Sequence, residues 1–239
     1  MTLPQSFLDR PLAHRALHDL ADGRPENSRA AIHSAIEKGY GIEIDLQLSA
    51  DNQAMVFHDY RLDRLANSTG PIRAHSAKTL GATMLRGGEE GIPTFAEVLE
   101  LIDGRVPLLV ELKDQEGQLG PNVGTLERAT AKAARGYSGP IAVMSFNPHS
   151  VLNMANLMPQ IPRGMTTSSF IPEKWGIPES ICTPLRDISD YDRAQCCFIS
   201  HEVDDLGRPR VTELKSKGAA LLCWTVKSAE QELTARKVA

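Results

Sequence analysis

Gly41-Ile42-Glu43-Ile44-Asp45-Leu46-Gln47-Leu48 is the stretch on which the fold turns. Its alternation is that of a β-strand, where side chains two apart share a face. Ile42, Ile44 and Leu46 fall on one face, and Glu43, Asp45 and Gln47 on the other. An edge strand with a solvated polar face would read the same way. If the strand lines a barrel, however, two carboxylates point inward, which is costly unless a cation or a proton neutralises them.

Immediately downstream, Ser49-Ala50-Asp51-Asn52 is turn-rich and too short for a helical crossover. Gln53–His58 is therefore expected to return antiparallel, as the second arm of a hairpin. Further out, short apolar runs read as strands at Leu12–His14, Val106–Lys113, Ile141–Phe146, Ile161–Met165, Cys196–His201 and Ala220–Val226. Helical periodicity separates several of them, at Ser28–Lys38, Thr94–Ile102 and Leu126–Ala134. Asn27 or Ser28 and Thr94 mark helix starts, and Gly39 closes the first helix. Repeated strand–helix units predict a parallel sheet, closed or doubly wound.

The length of 239 residues suits one (β/α) barrel, so residues 1–239 are expected to form a single domain. Residues 59–93 contain Asn67-Ser68-Thr69-Gly70-Pro71 and Arg86-Gly87-Gly88-Glu89-Glu90-Gly91, both loop compositions. They read as a short excursion at the barrel mouth. With the hairpin counted as one barrel position, seven parallel strands can be found. After Trp224-Thr225-Val226 only a polar, helix-forming stretch from Ser228 to Val238 follows, so the expected barrel lacks its eighth strand in this chain.

Composition narrows the function. A net charge of −4 offers no basic footprint for nucleic acid. The four cysteines, Cys182, Cys196, Cys197 and Cys223, form no C-x-x-C pair and read as core thiols of a reducing compartment. Met1 to Arg10 shows no secretory pattern, and no apolar run approaches the roughly 20 residues of a membrane span. The expectation is a cytoplasmic enzyme without stable membrane association, with homo-oligomerisation left open.

Chemistry then has to come from the polar residues on these strands. Leu108-Leu109-Val110-Glu111-Leu112-Lys113 reads as a central strand with Glu111 and Lys113 on one face. Together with Glu43 and Asp45, Glu111 makes an all-oxygen donor set suited to one divalent cation, Mg²⁺ or Ca²⁺. His14 and His58 each end a strand, and two histidines flanking an acidic site suggest a general acid and a general base. Arg15 and Lys113 could clamp a phosphate. His18, His33, His75 and His149 have no such context and read as surface residues.

These pieces, in order, are His14-Arg15, Pro25-Glu26-Asn27-Ser28, Glu43-Ile44-Asp45, His58-Asp59 with Leu62-Asp63-Arg64, Ile92-Pro93-Thr94-Phe95, Glu111-Leu112-Lys113, Ser145-Phe146 and Trp224-Thr225-Val226. In that order and spacing the chain resembles the glycerophosphodiester phosphodiesterases over about residues 12–226. The resemblance implies a TIM-like (β/α)8 barrel that hydrolyses a small glycerophosphodiester to sn-glycerol 3-phosphate and an alcohol. It implies Glu43, Asp45 and Glu111 as metal ligands, His14 and His58 as the acid/base pair, and Arg15 and Lys113 as phosphate contacts. Glu26 and Asn27 would support the first loop. One departure is that the family has glycine after His-Arg where this chain has Ala16, and alanine resists positive φ.

Two rival functions remain at this stage. A lysophospholipase D-like or phosphoinositide phosphodiesterase would need an apolar lip, for which Phe146, Trp224 and Met165 are the candidates. A non-catalytic barrel that binds phosphate esters should have lost some of the costly inward polar residues, and all seven are retained.

Overall fold

The alternation at Gly41–Leu48 holds over all eight residues, yet every one of them is buried. That rules out the edge strand with a solvated face and makes this strand an inner wall. A computed structural model describes residues 1–239. Its strands are β1 (Leu12–Ala13), β2 (Gly41–Leu48), β3 (Ala54–Val56), β4 (Leu108–Leu112), β5 (Ile141–Ser145), β6 (Arg163–Thr167), β7 (Phe198–Glu202) and β8 (Ala220–Trp224). Pairing runs β1-β2-β4-β5-β6-β7-β8, all parallel, and β3 hangs antiparallel from β2 as the hairpin predicts. The sheet thus has eight strands, seven parallel staves plus β3. No pairing joins β8 to β1, so the barrel is curled but open along that seam.

Nine α-helices flank the sheet: α1 (Arg29–Glu37), α2 (Ala77–Ala82), α3 (Phe95–Ile102), α4 (Thr125–Ala133), α5 (Pro148–Leu157), α6 (Pro172–Trp175), α7 (Glu179–Arg186), α8 (Pro209–Ser216) and α9 (Ala229–Ala235). Their starts follow capping chemistry. Ser28 accepts a bond from the Ala31 amide at the head of α1, and Gly39 takes φ +68° just beyond its end. Thr94 and Glu97 form a reciprocal capping box on α3. The sequence signals for α5 to α8 were weaker, and α7 carries an internal proline, Pro184, which speaks against a helix on propensity alone. No helix is long and apolar enough to cross a membrane.

Side chains sort by face. Outward residues Ile42, Ile44 and Leu46 of β2 and Val110 of β4 pack with Ile32 of α1 and Phe95 of α3 in one large apolar cluster. Met165 of β6 packs outward too, with Ile199, Val211 and Leu214, so it is not part of the apolar lip expected at the mouth. The inward face changes character along the strands. Near the strand starts, Leu109, Ala142, Met144 and Phe198 close around Phe7 and Leu3. A short 3-10 turn, Gln5–Phe7, carries Phe7 into that space, where it is only 1% exposed. The N-terminal segment therefore plugs the barrel floor, a role its sequence did not announce. Two residues beyond Leu109 the lining turns acidic at Glu111.

Residues 59–93 hold a 3-10 turn (Ile72–Ala74) and α2, and close over an apolar cluster of Phe57, Leu62, Ile72, Leu80, Leu85 and Ile92. Their glycine-containing turn motifs pointed only to loop.

The inner layer is filled tightly at β6. A Cβ added at Gly164 would lie 2.4 Å from the Phe198 ring and 2.5 Å from the Phe198 carbonyl oxygen. Gly164→Ala should therefore destabilise the fold by about 1–3 kcal/mol through overpacking. Urea unfolding of the variant beside wild type measures it, and an unchanged midpoint would contradict the packing described.

Candidate functional site

The register of β2 against β4 places Asp45 opposite Glu111. Glu43 precedes Asp45 by two residues on the same inner face. The three carboxylates have ligand oxygens all within 4.8 Å of one another. They are 5%, 1% and 6% exposed for Glu43, Asp45 and Glu111. Lys113 reaches into the cluster, with Nζ 2.8 Å from Asp45 Oδ1 and 2.6 Å from Glu111 Oε1. Asn27 closes the other side: its Nδ2 donates to Asp45 Oδ2 at 2.9 Å, and its Oδ1 accepts from the Asp45 amide at 3.3 Å.

The electrostatics follow from that packing. Burial, then the charges of Asp45 and Glu111, push the Glu43 carboxyl well above the ordinary carboxylate range. Burial pushes Asp45 the same way, but Lys113, His58 and Asn27 outweigh it and hold Asp45 well below that range. Burial lowers the Lys113 ammonium, and Asp45 and Glu111 more than reverse this, so it stays charged. Three close acids and an all-oxygen donor set fit a hard divalent cation, whose charge would relieve the cost carried by Glu43.

The loop after β1 brings His14 and Arg15 to the same place. Arg15 and Ala16 both take positive φ, +56° and +62°. Ala16 adopts this conformation despite its Cβ, at a cost of roughly 1–2 kcal/mol. The Ala16 amide donates to the Glu43 carbonyl at 3.0 Å, and the Arg15 amide donates to Glu43 Oε2 at 2.9 Å. These bonds tie the loop to β2, so the left-handed path survives the change from glycine. The Arg15 guanidinium pairs with Glu26 at 2.7 Å and lies 3.7 Å from Asp45. Its buried Nε makes no hydrogen bond and is the atom that faces Asp45 Oδ2 at that distance.

His58 follows β3 on the facing side, where Gln47 Nε2 donates to its carbonyl oxygen at 3.0 Å. Its Nδ1 lies 2.7 Å from Asp59 Oδ1. His14 is pushed down to about 4, mainly by burial and then by Arg15, so it is neutral at pH 7.

A cavity of about 490 Å³ joins His14, Arg15, Glu43, His58, Glu111 and Lys113 and continues along the β8–β1 seam past Leu12, Met144 and Leu222. A second groove of about 510 Å³ shares His58, Glu111 and Lys113 and opens toward Tyr60 and Trp175. Phe146 borders both. Its ring lies 5.4 Å from that of Trp224 and 5.0 Å from that of Trp175. The expected Phe146–Trp224 pair is present, and Trp175 and Phe170 extend it into a larger aromatic cluster that no local sequence signal disclosed.

The eleven catalytic, binding, metal and supporting residues expected from sequence thus lie at one end of the barrel or support it, and only the lip candidate Met165 lies elsewhere. Asp59 and Arg64, which the sequence motifs contain without disclosing a role, are also partners of the site. His201, on β7, is fully buried and held by Thr167 Oγ1 at 2.7 Å and by Asp205. Its outward position on the strand makes it part of the packing between sheet and helices. Of the four histidines expected at the surface, His18 and His33 are exposed, and His75 and His149 are half-buried.

A (β/α) barrel with an acidic, histidine-flanked mouth is compatible with a phosphoric diester hydrolase. A profile of the glycerophosphoryl diester phosphodiesterase family matches residues 14–239, and the chain belongs to that family of enzymes. It is 33% identical over 161 residues to a glycerophosphodiester phosphodiesterase of Caldanaerobacter subterraneus, covering 63% of this chain and 65% of that protein. A Bacillus subtilis protein, YhdW, named as a candidate enzyme of the same activity, is 28% identical over 226 residues, 90% of this chain and 85% of that one. Among solved structures, an Oleispira antarctica phosphodiesterase in complex with sn-glycerol-3-phosphate superposes with a TM-score of 0.77 at 24% identity, covering 97% of this chain and 91% of that one. The Thermotoga maritima glycerophosphodiester phosphodiesterase gives 0.70 at 21% identity, covering 95% and 89%. At these identities both show the shared fold.

The half-buried setting of His14 has a measurable consequence. Unfolded histidine binds its proton near pH 6.5, and folded His14 only near 4. Between those values the unfolded chain holds more protons, so stability falls as pH drops from 6.5 to 4, by roughly 3 kcal/mol over the window. Metal-free wild type should lose that increment relative to His14→Gln in urea unfolding at pH 7, 6, 5 and 4. Parallel pH profiles would contradict the burial of the imidazole.

Proposed function

We propose that the protein hydrolyses small glycerophosphodiesters to sn-glycerol 3-phosphate and an alcohol, with one divalent cation, Mg²⁺ or Ca²⁺, held by Glu43, Asp45 and Glu111. The observation that carries this reading is the convergence of three buried carboxylates with His14 and His58 on one cavity. Membership of the family and the product complex of the Oleispira relative support it. When bound, the cation would neutralise negative charge on a phosphate oxygen and acidify a nearby hydroxyl.

The remaining work falls to the protein. The Arg15 guanidinium on the cavity wall binds a phosphate oxygen, and Lys113 adds positive charge beside it. His14 is neutral at pH 7 and takes the proton of the attacking oxygen, water or the substrate's own glycerol hydroxyl. His58 gives a proton to the departing alkoxide as the bond from phosphorus to that oxygen breaks. Phe146 and Trp224 bound the apolar side of the pocket and shape the space left for the substrate. Glu26 and Asn27 hold Arg15 and Asp45 in place. The four unpaired cysteines fit a cytoplasmic location for this activity.

The apolar length of the seam cavity favours a second substrate, a lysolipid diester whose acyl chain would lie past Leu12 and Leu222. Turnover of lysophosphatidylcholine against glycerophosphocholine separates the two.

The test is release of glycerol 3-phosphate from glycerophosphocholine with EDTA, Mg²⁺ and Ca²⁺ in parallel. Release should require metal and vanish in Glu43→Gln. His14→Ala and His58→Ala should each lose about 10²–10⁴-fold in kcat. Metal-independent turnover, or near-wild-type rates in either histidine variant, would overturn the mechanism. Tight binding of substrate without turnover would instead favour a non-catalytic barrel.

A further inference from the structure

Arg64 lies outside the cavity's inner wall, its side chain half exposed, yet it makes the most constrained set of contacts at the mouth. Its Nε donates to Asp59 Oδ2 at 2.8 Å and its Nη2 to Asp59 Oδ1 at 2.7 Å. The opposite edge of the same guanidinium donates from Nη1 to Glu26 Oε2 at 2.9 Å and from Nη2 to Glu26 Oε1 at 3.1 Å. Each carboxylate is therefore held by two bonds. In each, the oxygen that accepts from Arg64 Nη2 also meets a residue of the site. Asp59 Oδ1 meets His58 Nδ1 at 2.7 Å, and Glu26 Oε1 accepts from Arg15 Nη1 at 2.7 Å.

We infer that Arg64 is a positioning residue that locks the His58 imidazole and the Arg15 guanidinium into one fixed arrangement across the mouth. The two anchored groups sit on separate segments, one after β3 and one after β1, and those strands do not pair with each other. Each pairs with β2, which sets the two backbones, and the Asp59–Arg64–Glu26 bridge links the two side chains directly. The bridge also sets the tautomer of His58. An ionised Asp59 only accepts, so Nδ1 keeps its hydrogen in either protonation state, and Nε2 carries the transferable proton when the ring is the imidazolium that donates to the alkoxide. Arg64 and the His58 interaction hold the Asp59 carboxyl well below the ordinary range against the opposing effect of burial, consistent with that ionised form.

The geometry needs an arginine. Only a planar fork can grip two carboxylates along two of its edges, and a lysine ammonium is a point charge without that directionality. The stability at stake is small, because half-exposed ion pairs are largely screened. The cost of losing the bridge should appear in catalysis, where a displacement of about 1 Å in a reacting group can cost 10²-fold.

This inference rests on the proposed diesterase activity, and the experiment keeps the two apart. Steady-state kinetics on glycerophosphocholine are measured for wild type, Arg64→Ala and Arg64→Lys, with thermal unfolding of each. Arg64→Ala should lose 10- to 100-fold in kcat with KM within about threefold and a Tm within a few degrees of wild type. Arg64→Lys should be intermediate. Guanidinium chloride at millimolar concentration should restore at least fivefold of the activity of Arg64→Ala and leave wild type unchanged, which a purely structural loss would not show. If wild type releases glycerol 3-phosphate and Arg64→Ala matches it, or if the loss falls on KM or Tm alone without rescue, the positioning role is wrong. A wild type that releases nothing refutes the diesterase reading itself.

Discussion

Everything at the mouth of this barrel answers to one constraint: three carboxylates on two adjacent strands, facing inward, out of water. Burying a lone carboxylate is expensive, and burying three within 4.8 Å is worse. Lys113 and Arg15 offset two of the three negative charges, which leaves one in excess. A divalent cation would reverse the balance to one positive charge, and a phosphodiester monoanion would cancel it. On this count the site approaches neutrality only when cation and diester are both present. The chain supplies a deliberately unfinished electrostatic sum, and the strain shows in Glu43, the acid with no lysine or arginine side chain of its own.

The same constraint explains how legible the molecule was. The parallel staves could be read because strands buried on both sides carry unmistakable apolar runs, and because a single acid within such a run, as at Glu111, cannot be accidental packing. The hairpin was legible because four residues cannot hold a crossover. Strand ends were less so: Ile161–Met165 shifted to Arg163–Thr167, since Pro162 has no amide hydrogen to give the ladder. What stayed hidden depends on distance in sequence. Phe7 finds its place only once Leu109, Ala142 and Phe198 converge. Trp175 joins Phe146 from a helix whose four residues carry no periodicity. Leu62-Asp63-Arg64 carried the resemblance but not the contacts of Arg64, which depend on Glu26, thirty-eight positions away.

The loop after β1 shows how local preference yields to such contacts. Arginine and alanine both disfavour left-handed backbone, and here two in succession adopt it. The compensation is concrete: two amides bonded to Glu43, and the Asn27 amide donating to the Arg15 carbonyl at 2.9 Å. Strain of this kind persists only where the surroundings over-determine it, and it concentrates at sites that must hold a shape.

The plug at the barrel floor bears on how the protein can be handled. Leu3 and Phe7 are buried against the strand starts, while Met1 is exposed. Met1 therefore lies at the end of the barrel where the plug enters, away from the mouth. An affinity tag or surface linker joined at Met1 would present the cavity to solution, whereas deleting the first seven residues would uncork the barrel from below. The two ends of the barrel are in this sense a handle and a working face.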